Sequence, residues 1–158
     1  MASGRKASGL VEEIREFCEN ITQVSDNRMV IEVDRRKIVE VCERLRERGF
    51  DHVKGVTGVD RPDINAIEVI YYVGSYSVEK YAGLILELKA RLPKEDPKVP
   101  SLIKVWPSCE YPERETYEML GVMFRGHPKL KRMLLPDDFE GVHPLRKDFK
   151  IPEEGIEA

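Results

Sequence analysis

Apolar residues recur three and four positions apart from Leu10 through Ile14, Phe17, Cys18 and Ile21, and this spacing predicts a short helix over 9–20 with Ser8 as its N-cap. Ser25-Asp26-Asn27 makes a turn, after which Met29, Ile31 and Val33 alternate with Val30 and Glu32 at the period of a strand. Asp34 caps the clearest helix of the chain. Its apolar stripe is Ile38, Val41, Cys42 and Leu45, its outer face carries Arg36, Glu40, Glu43, Arg44 and Glu47, and Gly49 ends it. Glu40 and Arg44 are a favourably oriented i,i+4 pair. Three strand-like runs come next, over 52–59, 64–73 and 81–91. Asp60-Arg61-Pro62-Asp63 turns the chain between the first two, Gly55 and Gly58 mark a bulge, and the 64–73 run, apolar on both faces except at Asn65 and Glu68, belongs inside the sheet.

The pattern then changes. Of ten prolines, only Pro62 precedes Pro93. A helix-compatible piece over 112–120, with Pro112 in its first turn and Gly121 past its end, is succeeded by Gly126, Pro128, Pro136, Gly141, Pro144 and Pro152. No long regular element fits between those residues, so the remainder is expected to be extended or turned. Val122, Met123, Phe124, Leu130, Met133, Leu134, Leu135, Phe139, Leu145 and Phe149 give it an apolar content that disordered tails lack. The expected fold class is α+β: a mostly antiparallel or mixed sheet with two helices packed on it, then a short helix and a long extended C-terminal arm. The expected organisation is an α+β body over 9–92 and a proline-rich docking arm over 93–158, ordered by lying on a neighbouring protein. The first seven or so residues read as disordered.

Composition narrows the function. The 158 residues fit one domain, and 26 basic against 29 acidic residues leave a formal charge of −3, which does not advertise a nucleic-acid or anionic-membrane binder. No apolar run approaches 18 residues and Met1-Ala2-Ser3-Gly4-Arg5-Lys6 lacks the hydrophobic stretch of a signal peptide, so a soluble intracellular protein without membrane insertion is expected. One glutamine and three asparagines beside heavy Glu, Lys, Arg, Ile and Val usage match the bias of hyperthermophile proteins.

Candidate chemistry lies in the last third. Glu113, Glu115 and His127 have the residue types of acid-base catalysis, but a pocket and shifted pKa values are needed as well. His127 and His143 stand 16 positions apart with no C-x-x-C or H-x-x-x-H spacing, which argues against zinc. Cys18, Cys42 and Cys109 are too few and too scattered for an iron-sulfur cluster or an expected disulfide. Arg125, Lys129, Lys131, Arg132, Arg146, Lys147 and Lys150 form a basic zone offset by Asp137, Asp138, Glu140 and Asp148, a weak case for nucleic-acid binding.

Glu113-Arg114-Glu115, acidic Glu118, apolar Met119-Leu120, then Gly126-His127-Pro128, Leu130, Lys131, Arg132, Met133-Leu134 and the closing His143-Pro144-Leu145-Arg146-Lys147-Asp148 resemble the signature of the 30-kDa subunit family of complex I, the NADH:quinone oxidoreductase, with relatives in membrane-bound hydrogenases and related archaeal complexes. The sharp motifs cover about 99–151. Glu118 stands where an aspartate is frequent, Leu120 where an aromatic is frequent, and Val142 separates Gly141 from His143, which places the chain among divergent members. The resemblance implies a cofactor-free, non-catalytic subunit of a peripheral arm on the cytoplasmic side of a membrane. Its partners would be a large subunit holding a quinone or nickel-iron site and a small iron-sulfur subunit. The implied partner-binding residues are Glu113, Arg114, Glu115, His127, Arg132, His143, Leu145, Arg146, Lys147 and Asp148. Arg114 is expected to pair with a carboxylate, and His127, Arg132, Arg146 and Asp148 to fasten the arm. The amide-poor composition tilts the reading towards a hydrogenase-like or sulfur-reducing complex, with a respiratory quinone reductase as the alternative.

Overall fold

The structure, a computed structural model, describes residues 7–151. The disorder expected at the N-terminus falls mostly, and the end of the arm from 152 onward entirely, outside these residues. In chain order the elements are α1 Ser8–Ile14, β1 Asn20–Ser25, β2 Arg28–Glu32, α2 Ile38–Glu47, β3 His52–Arg61, β4 Ala66–Gly74, β5 Ile85–Pro93, β6 Lys98–Pro100, α3 Glu110–Leu120 and β7 Met123–Arg125. β1 to β5 form one mixed sheet in the order β1-β2-β5-β4-β3, with β2 parallel to β5 and every other pairing antiparallel. β6 and β7 form a separate two-stranded parallel pair.

Period-two alternation sorts the sheet into two unlike faces. Met29 and Ile31 of β2, Ile67, Val69, Tyr71 and Val73 of β4, and Leu86, Leu88, Ala90 and Leu92 of β5 are buried in the core with Ile38, Val41, Cys42 and Leu45 of α2. On the other face, buried Glu68 is gripped by Arg61 at 3.4 Å and Arg91 at 3.2 Å, and Glu87 pairs with Arg28. β4 is therefore internal and buried along its length as expected, but its second face is covered by charged neighbours and not by a second helical layer.

Several expectations need correction. The helix expected over 9–20 stops at Ile14, a 3-10 turn spans Arg15–Phe17, and 20–25 is the edge strand β1. The β-branched Ile21 and Thr22 pair with Ile31 and Val30 of β2, and this long-range pairing outweighs the helical spacing of Phe17, Cys18 and Ile21. Ala7, not Ser8, occupies the N-cap position, and its carbonyl accepts from Val11 N. Asp34 closes the turn before α2, accepting from Arg36 N at 2.8 Å, while Lys37 stands at the cap position of the helix itself. The core also ignores the boundary expected at 92/93. Val99, Leu102, Val105, Trp106, Cys109, Leu120, Val122 and Phe124 share the body's core, and Trp106 Nε1 donates to the Phe50 carbonyl at 2.9 Å.

The glycines of β3 divide in role. The ladder slips between Val53 and Gly55, which is the bulge. Gly58 instead stands directly across from Val69 on the core face, where a Cβ would collide with Leu120 Cδ1 and meet Thr116 Cγ2 at 3.3 Å. It lets α3 lie close on the sheet.

Candidate docking surface

α3 presents two faces to two neighbours. Glu113, Thr116 and Leu120, at i, i+3 and i+7, turn toward the sheet; Arg114 and Glu118, at i and i+4, turn toward 131–135. The Glu113 carboxylate is fully buried and accepts from Tyr71 Oη at 2.9 Å, Leu102 N at 2.8 Å and Ser101 Oγ at 2.5 Å. Burial pushes its pKa up, against the opposing pull of those three donors. It joins α3, β4 and the 101–106 segment.

Glu118 anchors the chain on the far side of Gly126. Its carboxylate accepts from the backbone N–H groups of Met133 at 3.3 Å, Leu134 at 3.0 and 3.1 Å and Leu135 at 2.6 Å. Burial alone would raise its pKa, but the three N–H groups outweigh it and hold the carboxyl below the ordinary range. One turn earlier, Arg114 Nε donates to the Lys131 carbonyl at 3.1 Å. His127 closes the other end of α3: Nε2 donates to the Glu110 carbonyl at 3.0 Å while Nδ1 accepts from Lys129 N at 3.0 Å, which fixes the tautomer.

The C-terminus of α3 leaves four carbonyls without helical partners, and each finds one. Tyr117 O accepts from Gly121 N, Glu118 O from His143 Nδ1, Met119 O from Leu145 N and Leu120 O from Arg146 Nε, all between 2.8 and 3.1 Å. An imidazole and a guanidinium also suit the negative end of the helix dipole. Gly121 is required twice over, by its φ of +77° and because a Cβ there would meet His143 Nε2 at 2.7 Å and Arg146 Nη2 at 2.9 Å. Further along, Asp60 of β3 accepts from Lys147 N at 2.8 Å and Lys94 Nζ at 3.0 Å. Its burial works to raise the pKa, and these donors bring it below the ordinary value.

The ten predicted residues therefore divide. Glu113 is sealed inside the protein and out of a partner's reach, which corrects its assignment as a binding residue. Arg114 is buried and meets a carbonyl where a carboxylate was expected. His127, His143 and Arg146 hold the chain after Gly126 to α3, while Arg132 donates within that segment to the Pro136 carbonyl. Asp148 lies 3.7 Å from Lys94 Nζ. Glu115, Leu145 and Lys147 are exposed side chains. The expectation that this segment is ordered only by a neighbouring protein is corrected too, since it lies back on its own helix. The residues that accomplish this, Glu118 and Asp60, are not among the predicted sites; a carboxylate that accepts from distant backbone N–H groups, as Glu118 does from three and Asp60 from Lys147, has no partner residue type at that contact to betray it.

Among the charged side chains that this surface turns outward stand a few apolar ones. Leu134 is 60% exposed, Leu145 59% and Met123 43%, while the neighbouring backbone is tied down. Among the described residues no group of three or more His, Cys, Asp or Glu is placed to hold a metal ion, and no helix is long and apolar enough to cross a membrane.

The family model described as respiratory-chain NADH dehydrogenase, 30 Kd subunit, matches residues 31–155. The chain is 44% identical over 119 residues to the C subunit of the F(420)H(2) dehydrogenase of Methanosarcina mazei, covering 75% of this chain and 73% of that protein. It is 44% identical over 117 residues to the C subunit of the NADH-quinone oxidoreductase of Moorella thermoacetica, covering 74% and 76%. Among solved structures, a chain of the membrane-bound sulfane sulfur reductase, an archaeal respiratory membrane complex, superposes with a TM-score of 0.80 at 25% identity, over 92% of this chain and 86% of that one.

Proposed function

The chain belongs to the family of the respiratory-chain NADH dehydrogenase 30-kDa subunit, and from that membership we propose that it is a structural component of the peripheral arm of a complex I-like membrane-bound oxidoreductase. In this reading it holds no cofactor and has no catalytic residue of its own. It is carried on the cytoplasmic side of the membrane by other subunits, packing against the large subunit and the small iron-sulfur subunit that conduct the electrons.

The observation that supports this most directly is the mismatch within 127–151. Its backbone is pinned by Glu118, Asp60 and the end of α3, yet Leu134 and Leu145 point their side chains into solvent. Ordering the segment packs Leu130 against the core but leaves Leu134 and Leu145 wet. A partner that covers them receives an apolar surface whose backbone entropy is already lost, which is the condition for tight association.

Between the finer readings, the 44% identity to subunits of F(420)H(2) dehydrogenase and NADH-quinone oxidoreductase favours a dehydrogenase of that quinone-reductase kind over the hydrogenase-like or sulfur-reducing type that composition pointed to. The sulfur-reducing reading retains the backbone match at a TM-score of 0.80.

The test is co-purification from membranes of cells expressing a tagged full chain, with two comparisons. Removing everything from 121 would strip Val122 and Phe124 from the core, so the informative truncation ends at Gly126. The other is the full chain with Leu134→Asp and Leu145→Asp. Wild type is expected to bring down iron-sulfur-containing partners; both altered chains are expected to lose them while keeping their fold. Retention of the partners at wild-type yield by both would sink the docking role.

A further inference from the structure

Where the docking segment leaves the body, four cations converge on one cleft. Arg35 and Arg36 from the turn before α2, Lys98 of β6 and Arg125 of β7 line a recess of about 210 Å³ floored by Val99 and Pro100. No acidic residue lines it. Two carboxylates beside it offset part of the charge. Asp34 takes Arg36 at 2.8 Å, and Asp96 takes Lys98 at 2.8 Å and lies 4.0 Å from Arg35. Four cations against these two anions and Glu19, which also acts on Arg36, leave the cleft with a small positive excess.

The arrangement is held in place. Arg35 Nη1 donates to the backbone carbonyls of Asp96 at 3.0 Å and Lys98 at 3.3 Å, so its guanidinium is positioned chiefly by neutral groups, with the Asp96 carboxylate, already shared with Lys98, 4.0 Å away. β6 and β7 are in register from Lys98 opposite Met123 to Pro100 opposite Arg125, and Ser101 N closes onto the Arg125 carbonyl at 2.8 Å. The Arg125 side chain, exposed and one residue before Gly126, has Asp96, already shared with Lys98 and Arg35, as its nearby counter-charge. Like charges brought together without enough counter-charge are unfavourable in the free chain, so this cleft is complementary to something acidic.

We propose that the cleft receives acidic side chains from an extended segment or loop of a neighbouring subunit, fixing the root of the docking segment in the assembled complex. This rests on the subunit reading above. A helix, about 10 Å across, does not fit a recess of this volume, whereas one or two carboxylates on an extended strand do. The forked guanidinium of Arg125 can take a carboxylate in two parallel hydrogen bonds.

The test uses the whole complex, purified through a tag on the full chain carrying Arg125→Lys, which keeps the charge and supplies an amine. A water-soluble carbodiimide couples amines to carboxylates in direct contact, and the products are mapped by mass spectrometry. The expected result is coupling from position 125, and from Lys98, to an Asp or Glu of another subunit. In parallel, Arg125→Glu should lower the recovered partner about tenfold at low salt, with a smaller loss at high salt. If the complex is intact and position 125 couples only within its own chain or not at all, the cleft proposal is overturned and the subunit role stands. The cleft proposal fails equally if millimolar inorganic phosphate shifts the amides of Val99 and Arg125 in the isolated chain and no cross-subunit coupling forms. A tagged wild-type chain that brings down no partner overturns both.

Discussion

The five-stranded sheet and the segment over 127–151 are held by opposite means. The sheet is held by removal of side chains from water: Tyr71, Phe50, Ile31, Leu86, Leu88 and Leu92 are fully buried. The segment is held chiefly by its backbone: N–H groups reach Glu118 and Asp60, and its basic side chains reach the open end of α3, while Leu134 and Leu145 remain outside. Burial of apolar surface is non-directional and makes the body a self-sufficient globule. Backbone-to-carboxylate bonds are directional and specify shape while leaving the side chains free to face a partner. α3 is where the two regimes meet, Glu113 serving the first and Glu118 the second.

The contrast can be broken most forcefully at Glu113. Glu113→Ala leaves the Tyr71 hydroxyl, the Ser101 hydroxyl and the Leu102 N–H without their acceptor, and a loss of about 3 kcal/mol or more in global stability is expected by urea denaturation. Gly58→Val drives a side chain into Leu120 and should cost about 1 to 3 kcal/mol in the same assay, separating α3 from the sheet without touching the segment. Glu118→Ala should behave differently. Global stability changes little, but amide exchange at Met133, Leu134 and Leu135 rises about tenfold or more while β4 and β5 amides are unaffected, since roughly 1.4 kcal/mol of local protection corresponds to that factor. Equal acceleration throughout would show that the two regions are one cooperative unit.

Acid gives the mildest test and the sharpest sign. The folded pKa of Glu118 is depressed, so its stabilisation is present above the unfolded value near 4.3 and is lost as pH falls through the folded value. The folded pKa of Glu113 is raised, so its ionisation works against the folded state as pH climbs above that same unfolded value. Exchange protection at 133–135 should therefore decline on acidification below about pH 4, and Glu113→Gln should flatten the pH dependence of global stability just above it. A segment that tightens in acid would contradict the assignment of Glu118.

Much of the body is legible in the sequence because its signals are local and periodic. The stripe Ile38, Val41, Cys42 and Leu45 became α2, Gly49 past its end took a φ of +97°, and Gly121 closed α3 in the left-handed region. β1 is hidden because its six residues carry no face buried deeply enough to leave a pattern. The cleft of Arg35, Arg36, Lys98 and Arg125 is equally hidden, its members being separated by up to 90 positions and joined by the β6–β7 pairing and by Arg35's bonds to the Asp96 and Lys98 carbonyls.

Local pattern alone marks the class of fold, the internal strand, the two well-punctuated helices and, through the spaced signature from Glu113 to Asp148, the family. That Glu113 faces inward, that Glu118 and Asp60 grip passing backbone and that the proline-rich end lies on its own helix emerges only once the chain has folded. The reason is that periodicity records which side chains avoid water, whereas a carboxylate reaching a distant N–H leaves no periodic trace and acquires its partner only when the chain has closed around it.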